Sequence, residues 1–452
     1  MKTQKRNQMI KVSVIMPCLN AIKFIKSCMD SVICQSLSDI EILVIDAGSV
    51  DGTLEVLAEY EKKDSRVHVI HSEKKSYGYQ MNQGIAHATG EYIGIVETDD
   101  LIQEDMFAFL YDEAIQENAD YVKGISEGFY QGLGGLAWRF PIVPYHNLED
   151  KCVVIPKESP KLSLYDNFLW NGIYRSEFMQ TIVFNETAGA AFQDIGALFQ
   201  IVCSAKKGVY INHLVYNYRQ DNSSASSYNK KSFSYVAVEY QYIEQFVRKL
   251  SSEWEQVYFL KMASHSIDRL RFMAASGEYW EESKMGIDEL CEKLSYAIKH
   301  RIINAENCPE LDNVQMFTEN PYSSFLVFRD EFRTKFQKLN SILESIRGHN
   351  VYIFGAGRNG TFFRMCLALT GIEVLAYCDN NEKKRNEQGL DISIITPESA
   401  VMNEPNAYYV VAVQKYIREI KEQLVGLGVD ETHIIPYDIG LDIHLLKELI
   451  KK

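Results

Sequence analysis

Four short apolar runs within the first hundred residues, most of them followed by a stretch with helical spacing, constrain this chain more than any other feature. Val12 to Met16 is the first run and stops at Pro17, and Ala21 to Cys34 then carries apolar residues at helical spacing. Ile40 to Ile45, Val67 to His71 and Tyr92 to Val96 read as the next strands, with Thr53 to Lys62 and Tyr79 to His87 as helices between them. Strands alternating with helices predict an α/β unit with a parallel sheet and helices on its faces. Ligands of such sheets sit beyond the carboxyl ends of the strands. The polar residues gather at those ends: Asn20, Asp46 to Asp51, and Glu97 to Asp100.

The last of these elbows is the most demanding. Glu97-Thr98-Asp99-Asp100 sets three carboxylates in four residues directly after an apolar strand. Carboxylates this close raise each other's pKa unless a cation neutralises them. Hard oxygen ligands suit Mg²⁺ or Mn²⁺, which bind through one or two carboxylates plus substrate phosphates. An acidic helix N-terminus would also favour Asp and Glu, but the position at a strand end favours function. The other elbow, Asp46-Ala47-Gly48-Ser49-Val50-Asp51-Gly52-Thr53, has glycines suited to tight turns. Asp46 could accept a hydrogen bond from a base or ribose, whereas Asp51 or Thr53 could simply cap the next helix.

These motifs, taken in order with Val14 to Asn20, Asn82-Gln83-Gly84-Ile85 and Gly90-Glu91-Tyr92-Ile93, resemble family 2 glycosyltransferases of the GT-A fold, inverting enzymes of the bacterial surface-glycan type. The likeness covers roughly the first half of the chain. It implies a nucleotide-sugar donor, most simply a UDP-sugar, and an acceptor hydroxyl on a glycan, glycolipid or glycoprotein. It implies donor binding by Pro17, Leu19, Asn20, Asp46, Gly78, Asn82, Thr98, Asp99 and Arg219. It assigns the metal to Glu97, Asp99 and Asp100, with Glu97 standing where an Asp is usual. Asn167 to Arg175, with Trp170 and Asn171, resembles the acceptor side. Phe192-Gln193-Asp194 resembles the Glu-Asp motif that carries the general base, with Gln193 in place of the Glu and Asp194 as the remaining carboxylate. Tyr216 to Arg219, followed by Asn222-Ser223-Ser224, resembles a closing loop whose basic residue meets the pyrophosphate, a role that suits the fork of an Arg.

Beyond residue 230 the texture changes. Tyr235 to Lys249 and Glu253 to Phe272 have helical spacing, and Pro309 and Pro321 break the run. A second strand–helix series begins at Val351 to Phe354, followed by Gly355-Ala356-Gly357-Arg358-Asn359-Gly360. Glu373 to Tyr377, Ile392 to Ile395, Tyr408 to Val413 and His433 to Pro436 are its further strands. The expected division is 1–230 for the GT-A domain, 231–347 for a helical connector and 348–452 for a small Rossmann-like, doubly wound domain. Gly355, Gly357 and Gly360 with Asp379 fit a nucleotide-binding loop. They fit equally a packing or docking module, and that reading is preferred. The helical or C-terminal region could pair two copies of the chain or bind a partner glycosyltransferase.

Composition bounds the rest. At 452 residues, two or three domains are expected. A net charge of −14 argues against unspecific nucleic-acid binding, which needs basic patches. The nine cysteines form no C-x-x-C pair and read as small buried residues in a reduced, cytoplasmic setting. No apolar stretch is long enough to span a bilayer, so any work at a membrane would be peripheral, from its inner face. Three rivals are weighed: a sugar nucleotidyltransferase, which would want a Gly-rich loop with Arg and Lys where Pro17 to Asn20 stands; a processive polysaccharide synthase, which would want membrane spans and a Gln-x-x-Arg-Trp motif, whereas Trp138-Arg139 runs in the opposite order; and a non-catalytic partner that kept the fold, against which Asp194 and the acidic cluster argue.

Overall fold

A computed structural model describes residues 9–131, 137–145, 148–189, 191–222, 229–385 and 392–450. It divides into two compact units: Met1–Gly128, Pro141–Leu270 and Tyr279–Ser324 form the first, and Phe129–Phe140, Arg271–Glu278 and Phe325–Lys452 the second.

The sheet of the first unit starts with β1 (Val12–Cys18), β2 (Ile40–Asp46), β3 (Val67–His71) and β4 (Tyr92–Ile95), all parallel. The same sheet continues in β5 (Leu101–Ile102), β6 (Tyr121–Gln131), β7 (Ala137–Ile142), β8 (Lys151–Val154), β9 (Gly172–Arg175) and β10 (Gly208–Arg219), although the division above counts the last three residues of β6 and Ala137–Phe140 of β7 with the second unit. Their order is β3-β2-β1-β4-β9-β6-β10-β5, with β7 on β6 and β8 on β10. β9 lies antiparallel to β4, so the sheet is mixed. One core cluster joins Val12, Val14 and Met16 of β1 to Ile25, Met29 and Val32 of the helix Ile25–Ile33 and to Phe107 and Leu110 of the helix Met106–Glu117. The helices Ser232–Val247, Lys284–Lys299 and Leu311–Glu319 follow in the first unit.

Two local expectations shift. β1 continues through Pro17 to Cys18 instead of stopping at the proline. Cys18 O accepts from Ala47 N on the β2 side, so the nitrogen of Pro17 points toward β4, which has already ended at Ile95. The missing N–H therefore costs no ladder bond. The first helix starts at Ile25 rather than at Ala21. The N–H groups of Ala21 and Ile22 are held by Thr53 Oγ1 and Asp51 Oδ2, which keeps residues 20–22 in the loop.

In the second unit β11 (Val351–Phe354), β12 (Ala376–Cys378), β13 (Ile394–Ile395), β14 (Tyr408–Val411) and β15 (Ile434–Pro436) form a parallel sheet in the order β13-β12-β11-β14-β15. β12 starts three residues later than the pattern from Glu373 suggests, and Gly371 at φ +71° turns the chain before it. The cysteines are free, but the expectation that all are buried fails at Cys34, which is exposed, and at Cys152 and Cys203, which are half-buried. No helix among the described residues is long and apolar enough to cross a membrane.

Candidate active site

The carboxyl ends of β1, β2 and β4 open onto a cleft of about 790 Å³. Pro17, Leu19, Asn20, Glu97, Thr98, Asp99, Trp170, Asp194 and Arg219 line it. The structure thus brings together residues scattered over some two hundred positions of sequence. Asp46, Gly78, Asn82, Asp100 and Asn171 lie outside that lining.

One wall is built from two loops laced together. Asn20, at φ +53°, accepts from Val50 N through its side-chain oxygen, and its own N–H donates to Ser49 Oγ. Asp46 is fully buried and receives the N–H groups of Gly48 and Ser49 at 2.8 and 2.9 Å and the Ser49 hydroxyl. It therefore shapes the loop from within. Burial is the largest single effect on the Asp51 carboxyl and pushes it up, but the hydrogen bonds it accepts from Thr53 and Ile22 together hold it below the usual range. Gln80, unmarked in the sequence, donates to Cys18 O and Ile45 O and pins the ends of β1 and β2.

The acidic cluster separates into two kinds of carboxylate. Glu97 and Asp99 line the cleft. Burial, the charge of Asp99 and that of Asp194 push the Glu97 carboxyl up to about 8, against a hydrogen bond from Tyr77 Oη at 2.9 Å. Asp99 Oδ2 accepts from Asn222 at 2.7 Å. Asp100 is wholly buried, and its two oxygens accept from Arg219 N at 2.7 Å and Tyr216 Oη at 2.9 Å. The same Tyr216 oxygen accepts from Glu97 N. β5 pairs with β10 at Ile102–Tyr216 and Leu101–Asn217, which sets the cluster beside Arg219. Arg219 donates from Nε to Asp99 O, lies 4.8 Å over the ring of Phe24 and meets Asp221 at 3.3 Å. The sequence assigns all three carboxylates to a metal; the structure points two of them at the cleft and uses Asp100 to anchor the backbone of Arg219. Ser223 and Ser224 of the closing loop lie outside the described residues.

A divalent cation fits the first pair. The raised pKa of Glu97 marks a carboxylate short of counter-charge. No cluster of three or more His, Cys, Asp or Glu side chains converges among the described residues. A cation here would rest on Glu97, Asp99 and substrate oxygens, as Mg²⁺ commonly does.

Asp194 stands in the first turn of the helix Gln193–Ser204, after Phe192 at φ +73°. Burial raises its carboxyl to about 6, despite the N–H of Ile195 and the charge of Lys261. A carboxyl with that value is half ionised near pH 6 and able to accept a proton at neutral pH. Gln193, where a second carboxylate is usual, is buried and donates to Thr187 O at 3.0 Å. Trp170 stacks on Tyr216 at 4.3 Å and packs near Tyr218 at 4.9 Å, so an aromatic layer joins the 167–175 segment to β10. Asn171 is buried and donates to Gly124 O.

Gly78 and Asn82 act behind the cleft. A Cβ on Gly78 would lie 1.9 Å from Asn185 O. Asn82 exchanges hydrogen bonds with the backbone of Phe184 and donates to Glu186. Both residues hold the segment that leads to Asp194. Tyr77, Gln80 and Lys261 escape sequence reading, because nothing in their spacing marks them. In the second unit Gly355 adopts φ +102°, and a Cβ on Gly360 would meet Gly355 O at 1.9 Å. Gly357 has open space at that position. Asp379 accepts from Ala356 N at 3.1 Å and from Asn381 N at 2.9 Å.

Comparison with known proteins bears on both units. Residues 13–168 match the model of glycosyl transferase family 2, and residues 348–435 match a C2185-like N-terminal domain. The uncharacterized glycosyltransferase EpsJ of Bacillus subtilis is 30% identical over 220 residues, covering 47% of this chain and 62% of EpsJ, less than two thirds of its length. Glycosyltransferase GlyG of Streptococcus pneumoniae is 29% identical over 225 residues, covering 47% of this chain and 72% of GlyG. Residues 1–349 of S. aureus TarS, solved with UDP-GlcNAc, superpose with a TM-score of 0.56 at 17% identity, over 72% of this chain and 92% of that one.

Proposed function

We propose that this chain, a glycosyltransferase enzyme with a GT-A domain, moves a sugar from a UDP-sugar to a hydroxyl of a glycan, glycolipid or glycoprotein, with inversion and with a divalent cation. The observation that carries the reading is a single cleft lined at once by a base of raised pKa, Asp194, by the acidic pair Glu97 and Asp99, and by Arg219. The UDP-GlcNAc bound to TarS supports a uridine donor.

In this mechanism Asp194 takes the proton of the acceptor hydroxyl as its oxygen attacks the anomeric carbon. The new C–O bond forms on one face while the bond to the nucleoside diphosphate breaks on the other, and the electron pair leaves with the β-phosphate. Arg219 meets the negative charge that grows there. Its Nε bond to Asp99 O and its N–H bond to Asp100 hold it ready. Asn20 and the loop shaped by Asp46 would face the nucleoside. A cation at Glu97 and Asp99 would supply counter-charge to the pyrophosphate. The second unit is read as a Rossmann-like packing or docking module, supported by its parallel strand order.

A donor panel tests this. One nucleotide-sugar, expected to be a UDP-sugar, should release its diphosphate, and chelation should slow release at least about 100-fold, since a metal supplies several kcal/mol of charge stabilisation. No turnover of any donor would sink the reading, and undiminished release after chelation would remove the metal from it.

A further inference from the structure

We propose that the acceptor hydroxyl is carried by an uncharged sugar ring laid against Phe192, and that Phe192 is the residue that selects it. This rests on the reading of Asp194 as the base, and it narrows the acceptor to one chemical class.

Phe192 stands two residues before Asp194 and lines the same cleft. Its backbone is left-handed, at φ +73° and ψ 12°. The other described non-glycine residues at positive φ are Asn20, Asn118 and Arg301. Asparagine enters this region easily, whereas a bulky aromatic residue does so at a cost. The helix Gln193–Ser204 does not account for the choice. Phe192 directly precedes it, where Ser, Thr, Asp, Asn or Gly is favoured, and its side chain makes no capping hydrogen bond. Its carbonyl accepts from Ile195 N at 3.1 Å, as that of any residue would. What phenylalanine adds is the ring. The residue is half-buried, and the Arg269 guanidinium lies over the ring at 5.3 Å from its centroid, a favourable cation–π contact. Arg269 does not line the cleft, so the ring stands between the guanidinium and the open space.

The cleft is divided by charge. Among the described residues three cations line it, Lys23, Lys75 and Arg219, and each belongs to the donor side. Arg219 is tied to Asp99 and Asp100. Lys23 sits between Ile22, whose N–H is held by Asp51, and Phe24, whose ring lies under Arg219. Lys75 Cε lies 4.0 Å from where Gly48 would carry a Cβ, beside the loop that Asp46 shapes. Around Asp194 the lining is Leu169, Trp170, Ala191, Phe192 and Tyr218, with no cation. Trp170 packs near Tyr218 at 4.9 Å, and Arg269 is a neighbour of both Phe192 and Tyr218. An acceptor with a phosphate beside its hydroxyl would set that charge against the Asp194 carboxylate, with no cation in this lining to meet it. A long-chain alcohol fails for another reason. It needs an extended apolar wall, but Leu169 and Trp170 are only 1% and 6% exposed, which leaves the half-buried Phe192 and Tyr218 as the aromatic surface. That surface covers one face of one ring. A sugar ring fits it: its C–H face packs on the aromatic ring, and its hydroxyls meet Asp194 and the Tyr218 hydroxyl.

An acceptor panel and a set of Phe192 variants test this in the full chain, with the nucleotide-sugar it turns over as donor. The panel holds p-nitrophenyl glycosides of the common hexoses and N-acetylhexosamines, the 1-phosphates of the same sugars, and dodecanol. At least one glycoside should accept the sugar, with kcat/KM at least about tenfold above the phosphates and the alcohol. A preference for a phosphate or for dodecanol overturns the proposal, and so does transfer to none of the glycosides. Phe192→Gly takes φ +73° without strain, so it keeps the helix start and loses the ring. The KM for the preferred glycoside should rise about tenfold, the scale of one aromatic contact, while the donor KM stays within about twofold. Phe192→Tyr keeps the ring and should hold the acceptor KM within about threefold of wild type. Phe192→Asn, which also tolerates this φ, stands in should the glycine variant not fold, and the same rise is expected. A folded glycine or asparagine variant with the wild-type acceptor KM overturns the proposal, and so does a tyrosine variant that behaves like them. Asp194→Asn run alongside separates the two levels. Activity in that variant would mean the base reading has failed, whereas an inactive Asp194→Asn with an unmoved acceptor KM in Phe192→Gly would count against this inference alone.

Discussion

The two units each carry a polar loop at the carboxyl end of a central parallel strand, and they treat the carboxylates beside it differently. After β4, Glu97 and Asp99 face open space in the cleft, and burial leaves Glu97 in want of counter-charge. After β12, Asp379 turns back onto its own loop and accepts from Ala356 N and Asn381 N. The glycines differ as well. Gly355 and Gly360 are required by packing, since a Cβ at the first would meet Val413 Cγ2 at 2.3 Å and at the second Gly355 O at 1.9 Å. A strand, a Gly-rich turn and a helix therefore make a shelf. Chemistry needs, in addition, polar groups whose demand the fold leaves unmet.

Substitutions can break or sharpen that contrast. The largest effect among the supporting residues is expected at Arg219. On the proposed mechanism, Arg219→Ala removes the cation that would meet the leaving phosphate, and it should lower kcat roughly 100-fold, the scale seen when one donor to a developing anion is lost. Steady-state kinetics would check it, and a loss below about threefold would place the charge elsewhere. In the second unit the effect should fall on stability and not on rate. Gly355→Ala forces a side chain into φ +102° and against Val413, so denaturant unfolding should show a loss of roughly 2 to 4 kcal/mol. The transfer rate of the folded variant should stay within about twofold. A large fall in kcat there would mean that the second loop takes part in the reaction.

Much of the first sheet is legible in the sequence because its parallel strands are buried on both faces and read as continuous apolar runs, Val12 to Met16 and Ile40 to Ile45 among them. The antiparallel half is not. β6 buries Lys123 on its inner side, paired with Asp166, so the strand breaks the alternation that would reveal it. The cleft residues are legible where they sit in dense local motifs, as Glu97 to Asp100 and Asn20 do. They are illegible where the contact is long-range. Tyr77 reaches Glu97 across 20 positions, and Lys261 reaches Asn167 across 94. Asp100 carries a second, long-range role that its motif does not reveal: its two oxygens accept from Arg219 N and Tyr216 Oη.

The central claim is that Asp194 is the base of a glycosyl transfer carried out in the first unit's cleft. Asp194→Asn keeps the shape and the helix but removes the proton acceptor. Transfer measured by product formation, with UDP affinity measured by calorimetry on the same preparation, tests it most directly. Transfer should fall at least about 1,000-fold, the upper part of the range for general-base catalysis, while UDP binds with unchanged affinity. Transfer near the wild-type rate, or loss of UDP binding together with activity, would contradict the claim.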